Sequence, residues 1–276
     1  MTLALWALLV CYAAARVLQP FPGKVPMLVI VLLHVLPPAL FALLHGAIRY
    51  RLRGILTFIA ICVVVGNASE NLSILTGFPF GHYCFTDLMG PSIFNVPILL
   101  GLAYVGMGYL SWTLGRLILG ETRGRLAGSR VLAVPLAASF IMVAWDLAMD
   151  PVWSTVMHAW TWRQGGAYFG VPVSNFLGWY LTVYLIYQLF AFYLTRRATG
   201  CDSLPLSHWR MAILFYGVSA AGNLVIVPRA AGALVSDPTG AQWRVSGIVA
   251  ASALTSIFVM GAFTLLAWVR LGDRAV

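Results

Sequence analysis

Eight long apolar stretches constrain what this chain can fold into. Hydrophobic residues make up 61% of the 276 residues and charged residues only 9%, which is more apolar surface than a soluble domain can bury. Each stretch can cross about 30 Å of hydrocarbon as an α-helix. The sequence therefore predicts an all-α integral membrane protein, a single polytopic domain over residues 1–276. The predicted spans are 2–18, 26–48, 54–76, 96–116, 131–151, 173–195, 208–228 and 245–269.

The first apolar stretch is interpreted as a retained helix rather than a signal peptide. No Lys or Arg precedes it, and no small-residue cleavage site follows it.

Basic residues are distributed unequally between the two ends of the spans. Twelve are predicted at one end: Arg49, Arg51, Arg53, Arg116, Arg123, Arg125, Arg130, Arg196, Arg197, Arg210, Arg270 and Arg274. Five are predicted at the other end: Arg16, Lys24, Arg163, Arg229 and Arg244. The positive-inside rule then predicts a multi-pass protein of the cell (inner) membrane with both termini in the cytoplasm. The net charge of +9 is thus explained without nucleic acid as a partner.

Three acidic side chains lie inside the predicted spans: Glu70, Asp146 and Asp150. An acid facing lipid costs on the order of 3 kcal/mol, so such residues face the bundle interior or a wet cavity and are candidates for function. The alternative is that they pair with buried arginines or cap helices. No span carries a Lys or Arg well placed to pair with them.

Helical spacing groups these acids with other polar residues. Asn67, Glu70 and Asn71 share one helix face, and Asp146 and Asp150 share another. A long loop rich in Gly, Pro and aromatic residues follows each helix, at 77–95 and 153–172. Because these loops carry little charge, we expect them to fold back as a lid over a cavity on the non-cytoplasmic side.

The two segments also suggest an internal repeat. The loops end in FNVP at Pro97 and FGVP at Pro172, and each proline begins the next span. Repeated membrane units often form a site at their interface. Chance similarity between two loops of related composition is the alternative.

Aromatic side chains near one membrane interface have two interpretations. They form an aromatic belt, or they line a pocket in which the faces of the rings stabilise a cation. Asn175 lies beside the expected cavity, whereas Asn223 is expected to bond between helices.

No metal, disulfide or nucleotide pattern is present in the sequence. The four cysteines form no CxxC, and the five histidines form no HxxH or HxxxH pair, which argues against membrane di-iron enzymes. A phosphate-binding loop and a dinucleotide fingerprint are also lacking.

Several stretches between residues 67 and 182 resemble one known family. They are TGFPFGHYCFTDLMGP with the preceding Glu70, VAWDLAMDP, WTW and AYFGVPVSNFLGW. The chain resembles the carotenoid biosynthesis membrane proteins, which include the carotenoid 1,2-hydratases acting on γ-carotene and bisanhydrobacterioruberin. One departure is His158, where a small residue is expected before WxW.

The resemblance implies an enzyme that adds water to the terminal C1=C2 double bond of an acyclic carotenoid end group. Such a reaction needs an acid, a pocket that tolerates a tertiary cation and a held water, and it implies no cofactor and no metal. A carboxyl group in an apolar site can stay neutral and serve as the acid. The expected partners are the carotenoid, water and the lipid bilayer, with other carotenoid-pathway enzymes as candidates.

We expect Asp146 or Asp150 to donate the proton and Glu70 to orient the water, and these roles could be exchanged. Asn71 and Asn175 would position that water. The residues expected to bind substrate are aromatic or carry an amide: Asn67, Asn71, Phe80, Tyr83, Trp145, Trp160, Trp162, Tyr168, Asn175 and Trp179.

Three other functions fit parts of the pattern. DLAMD reads as the DxxxD motif with which membrane prenyltransferases hold Mg²⁺, although a second acidic motif and nearby basic residues for a diphosphate are lacking. Paired acids at membrane depth also occur in proton-coupled transporters and would suit a non-catalytic carotenoid or lipid carrier.

Overall fold

A computed structural model describes residues 2–21, 25–122, 125–197, 204–229 and 232–273. Among the residues used above to predict topology and cysteine chemistry, Lys24, Arg123, Cys201 and Arg274 lie outside these ranges. The described chain is mostly helical: α1 Thr2–Leu18, α2 Met27–Thr76, α3 Ile98–Ile118, α4 Arg130–Pro151, α5 Val173–Arg196, α6 Leu206–Leu224, α7 Val245–Thr255 and α8 Gly261–Gly272. A π-helical turn, Val152–Val156, extends α4, and another, Ser256–Met260, joins α7 to α8.

Five helical segments within the described residues are long and apolar enough to cross a membrane: Met27–Thr76, Ile98–Ile118, Arg130–Val156, Val173–Arg196 and Val245–Gly272. The protein is therefore a helical membrane protein. The count of eight spans, the identity of the membrane and the orientation of the termini stay predictions. Helix α2 covers two predicted spans, 26–48 and 54–76, and its backbone is non-helical at Arg51, with φ 57° and ψ 169°.

Within the described ranges, six short strands lie in the loops between helices: β1 Tyr83–Phe85, β2 Ser92–Ile93, β3 Val96–Pro97, β4 Trp160–Trp162, β5 Leu234–Ser236 and β6 Gln242–Arg244. They form three antiparallel pairs, β1–β4, β2–β3 and β5–β6. In the first pair Tyr83 lies opposite Trp162 and Phe85 opposite Trp160. The two aromatic loops predicted from the sequence are thus tied together at one end of the bundle, which we call the loop face.

Helices α3 and α5 each pack against both α2 and α4. The acid-bearing segments of α2 and α4 make little direct contact. The segments instead face each other across the space that α3 and α5 leave open. Helix α3 lies deepest, and Tyr104 and Trp112 on it are buried.

Local sequence explains where the helices around this space begin and end. Pro97 and Pro172 have extended backbones and immediately precede α3 and α5, consistent with proline at helix starts. Gly77 ends α2 with a left-handed backbone, φ 83°, and its N–H donates to the carbonyl of Ser73 at 2.7 Å.

Asn223 forms the interhelical hydrogen bonds expected of it. It accepts from Arg16 of α1, which is buried, and donates to Ser256 Oγ at 2.8 Å. This pair ties α6 to its neighbours.

Candidate active site

Glu70 is buried near the end of α2 and is held by two tyrosines. Tyr104 Oη of α3 donates to Oε1 at 2.6 Å, and Tyr83 Oη of β1 donates to Oε2. Both carboxylate oxygens therefore have a partner. The side chain is 3% exposed, so its orientation is set by these bonds rather than by solvent.

Asp146 and Asp150 lie one turn apart at the end of α4 and are both buried. Asn175 Nδ2, from the first turn of α5, donates to Asp146 Oδ2 at 3.1 Å and to Asp150 Oδ2 at 2.7 Å. Trp160 Nε1 donates to Asp150 Oδ1 at 3.1 Å. One amide thus bridges the two acids, and the aromatic loop fixes the second of them.

Two buried oxygens in this cluster, Asp146 Oδ1 and Asn175 Oδ1, have no hydrogen-bond partner among the described residues. Buried polar atoms in proteins are almost always paired with protein groups or ordered water. Because both oxygens can still accept a hydrogen bond, this cluster is suited to hold a water molecule or a polar group of a substrate.

The three acids line one cavity, which we call the carboxylate cavity. It offers about 20 Å³ to the centre of a water molecule, enough to hold one water. Its lining residues are Glu70, Phe80, Tyr83, Phe85, Leu100, Asp146, Met149, Asp150, Trp160, Trp162, Asn175 and Trp179. The lining contains no Lys or Arg that could neutralise the acids or bind a diphosphate.

A second, mainly apolar cavity adjoins the first. It offers about 60 Å³ on the same measure and shares Leu100, Met149 and Trp160 with the carboxylate cavity. The rest of its wall is mostly apolar, with Val31, Val35, Met89, Ala103, Met107, Trp145 and Trp153, but contains three polar side chains, Tyr12, Arg16 and His34. We call it the apolar cavity. A hydrocarbon chain could lie there with its end group at the acids.

Most residues predicted from the sequence meet at these two cavities. Nine line the carboxylate cavity: Glu70, Phe80, Tyr83, Asp146, Asp150, Trp160, Trp162, Asn175 and Trp179. Trp145 lines the apolar cavity instead.

Three predicted substrate-binding residues lie outside both linings. Asn71 donates to Asn67 Oδ1 at 3.0 Å and accepts from the Asn95 backbone N–H at 3.3 Å, so these amides tie α2 to its loop. Tyr168 Oη donates to the carbonyl of Leu147 at 3.3 Å. A shared helix face did not suffice to bring the two asparagines to the cavity.

Sequence reasoning missed Tyr104, which contacts Glu70 and stacks on Trp179 with ring centroids 4.5 Å apart and planes 10° from parallel. It also missed the lining residues Phe85, Leu100 and Met149. A tyrosine within the apolar run of α3 was the available signal, because a buried hydroxyl needs a partner.

The turns before Pro97 and Pro172 share an uncommon backbone conformation. Phe94 and Phe169 occupy matching places in FNVP and FGVP and have φ values of 55° and 54°. Non-glycine residues seldom adopt a positive φ. This correspondence favours the internal-repeat interpretation over chance similarity.

No group of three or more His, Cys, Asp or Glu side chains among the described residues is arranged to hold a metal ion. Between Asp146 and Asp150 the bridging group is the Asn175 amide nitrogen, a hydrogen-bond donor.

A family model described as carotenoid biosynthesis protein matches residues 26–236, which contain all the residues of the carboxylate cavity. No curated protein and no solved structure matches the chain.

Proposed function

Because the chain belongs to the family of carotenoid biosynthesis proteins, we propose that it hydrates the end group of an acyclic carotenoid by acid catalysis. The family gives the role in carotenoid biosynthesis. The reaction is inferred from the chemistry of the carboxylate cavity, and the proposed substrate is a polyene that remains in the bilayer.

The observation that carries the proposal is that Asp146 Oδ1 and Asn175 Oδ1, which have no hydrogen-bond partner among the described residues, lie at a cavity with room for one water. Hydration of an unactivated double bond needs a positioned acid, a single held water and exclusion of bulk solvent. The carboxylate cavity offers groups suited to each need, next to apolar space for the hydrocarbon.

In the first step, Asp146 donates the proton. The π electrons of C1=C2 form a new C2–H bond with the proton of its carboxyl group, which leaves a tertiary cation at C1. Asp146 is preferred over Asp150 because Oδ1 of Asp146 has no protein partner, whereas both Asp150 oxygens accept hydrogen bonds.

In the second step, a lone pair of the held water forms the C1–O bond. Asn175 Oδ1 accepts a hydrogen bond from this water and orients it. The excess proton passes to a neighbouring carboxylate, Asp150 or Glu70, and its return to Asp146 restores the starting state. The sum is one water added, with no electrons gained or lost.

The cationic intermediate is stabilised by its surroundings. Glu70, held by Tyr83 and Tyr104, contributes negative charge at a fixed position. Trp160 and Trp179 present aromatic surface to the same cavity, which favours a nearby cation.

Lipid analysis of a host that makes acyclic carotenoids tests the proposal. Expression of this chain is expected to yield a carotenoid heavier by one water that carries a tertiary alcohol. Asp146→Asn, present in the membrane at the same level, should yield none. A product with a longer chain would indicate a prenyltransferase, and unchanged carotenoid bound to the purified protein would indicate a carrier.

A further inference from the structure

A third cavity lies on the opposite side of the aromatic loop from the acids, at the loop face. It offers about 180 Å³ to the centre of a water molecule. Its lining carries several hydroxyl groups, an imidazole and a carboxylate among apolar surface, and its rim, including His158 and Ser236, is exposed. The lining residues are Ser154, Thr155, His158, Trp160, Thr161, Trp162, Gly170, Ser236, Asp237 and Pro238. We call this cavity the vestibule.

Among the described residues, Trp160 and Trp162 are the two that line both the vestibule and the carboxylate cavity. Both belong to β4, which pairing with β1 holds in place. The polar edge of one ring already reaches the acids, because Trp160 Nε1 donates to Asp150 Oδ1 at 3.1 Å. A shift of these two rings would therefore join the two cavities.

Polar groups continue along the vestibule towards the acids. Ser154 Oγ donates to the backbone carbonyl of Asp150 at 2.8 Å, so the vestibule wall touches the helical turn that carries this acid. Thr155 Oγ1 donates to the carbonyl of Phe169 at 2.6 Å. Hydroxyl groups at this depth give water molecules successive partners.

Asp237 adds a charge to the vestibule. Its carboxylate accepts hydrogen bonds from the Thr239 N–H at 2.9 Å, the Thr239 hydroxyl at 2.6 Å and Trp243 Nε1 at 3.1 Å. Burial acts in the opposite direction, but these bonds lower the pKa of Asp237 below its usual range. The carboxylate is therefore ionised at neutral pH, and a charged group at this position favours water in the cavity.

The apolar cavity meets the carboxylate cavity at Leu100 and Met149, which the vestibule does not touch, and also at Trp160. The vestibule and the apolar cavity thus reach the carboxylate cavity past different residues except for Trp160, which lines all three cavities. Each space suits one of the two substrates of a hydration.

We propose that the vestibule is the route by which water from the aqueous phase at the loop face reaches the acids, with Trp160 and Trp162 as its gate. The carotenoid enters separately, through the apolar cavity. This inference rests on the proposed hydration for its purpose, but the route itself can be tested without the reaction.

The experiment uses a full-length chain whose four cysteines are replaced, with Ser154→Cys added. We expect 2-(trimethylammonium)ethyl methanethiosulfonate, applied at the loop face, to modify the new thiol and fill the vestibule. Hydration should then slow by at least about tenfold, with little change in KM for the carotenoid, because only the water supply is blocked. Thr161→Cys, which lines the same cavity, replaces Ser154→Cys if that variant does not fold.

The matched control is Ser92→Cys, an exposed position of β2 that does not line the vestibule. Modification there should leave the rate unchanged. A thiol at 154 and 161 that the charged reagent never reaches, or full modification with an unchanged rate, would overturn the proposed route.

A second readout needs no catalysis. Exchange of the Trp160 indole N–H with D2O, followed by NMR and assigned with Trp160→Phe, should slow when the vestibule is filled. If the unmodified chain makes no hydrated carotenoid, the proposed function fails, and the exchange rate still decides the route. Exchange that is indifferent to the modification would refute it.

Discussion

The two acid-bearing halves of the molecule share a backbone plan but treat their acids differently. In each half a helix carrying carboxylates leads into an aromatic loop, a short strand, a phenylalanine with positive φ and a proline that begins the next helix. Glu70 has both oxygens bonded to tyrosine hydroxyls. Asp146 has one oxygen without a partner among the described residues.

Two segments with the same backbone plan thus hold one acid with both oxygens bonded and one acid with an oxygen that no described residue bonds. The partners come from outside each helix: Tyr104 from α3, Tyr83 from β1 and Asn175 from α5. Reactive groups are commonly oriented by such supporting side chains. We therefore expect Asp146 to transfer the proton. We expect Glu70 to stabilise the positive charge that develops on the substrate.

The largest effect is expected for Asp146→Asn. An amide cannot donate the proton to C2, so hydration should fall by about 10³-fold or more. The measurement is the yield of hydrated carotenoid per amount of protein in the membrane. Asp87→Asn, the same change at an exposed loop acid, is the control and should keep full activity. Retained activity in Asp146→Asn would show that Asp146 is not the proton donor.

Glu70→Gln is expected to have a smaller effect, a loss of about 10²-fold. The amide keeps the shape of the side chain but removes the negative charge near the developing cation. The relevant quantity is the rate of hydration at saturating carotenoid. If Glu70→Gln abolishes the reaction while Asp146→Asn retains a measurable rate, the roles of the two halves are exchanged.

Tyr83→Phe and Tyr104→Phe should each slow the reaction by about tenfold, because each removes one hydrogen bond to the Glu70 carboxylate. In the Glu70→Gln background the same changes should cost less, as a double-mutant cycle would show. Tyr168→Phe is the matched control, since its hydroxyl bonds to a backbone carbonyl instead. Equal losses for all three tyrosines would contradict the specific support of Glu70.

Asn67→Ala and Asn71→Ala should leave the rate close to that of the unchanged chain. Loss of the amide contacts between α2 and its loop should cost on the order of 0.6 kcal/mol of stability, measured as a small decrease in thermal stability in detergent. A large decrease in rate at normal stability would restore the catalytic role predicted from the sequence.

Chelation is expected to have no effect on the rate. The Asp146–Asp150 pair is bridged by the amide nitrogen of Asn175, which would have to be displaced for the pair to bind Mg²⁺. Activity should be the same with and without EDTA in washed membranes. Loss of activity that Mg²⁺ restores would favour the prenyltransferase interpretation. It would also indicate that Asp146 and Asp150 bind the metal.

The sequence alone determined the properties that depend on local pattern. Apolar runs predicted a helical membrane protein, the acids within them marked the candidate site, and Pro97 and Pro172 marked helix starts. These inferences succeed because helix formation and the cost of burying charge depend on residues close in sequence.

Only the tertiary structure decided which groups meet. The rotation of α2 brings Glu70 to the cavity and leaves Asn71 bonded to Asn95, although both residues share a helix side. The unpaired oxygen of Asp146, the two tyrosine bonds to Glu70 and the position of β4 between two cavities likewise depend on packing across α3 and α5. Residues far apart in sequence provide these contacts, so no local pattern encodes them.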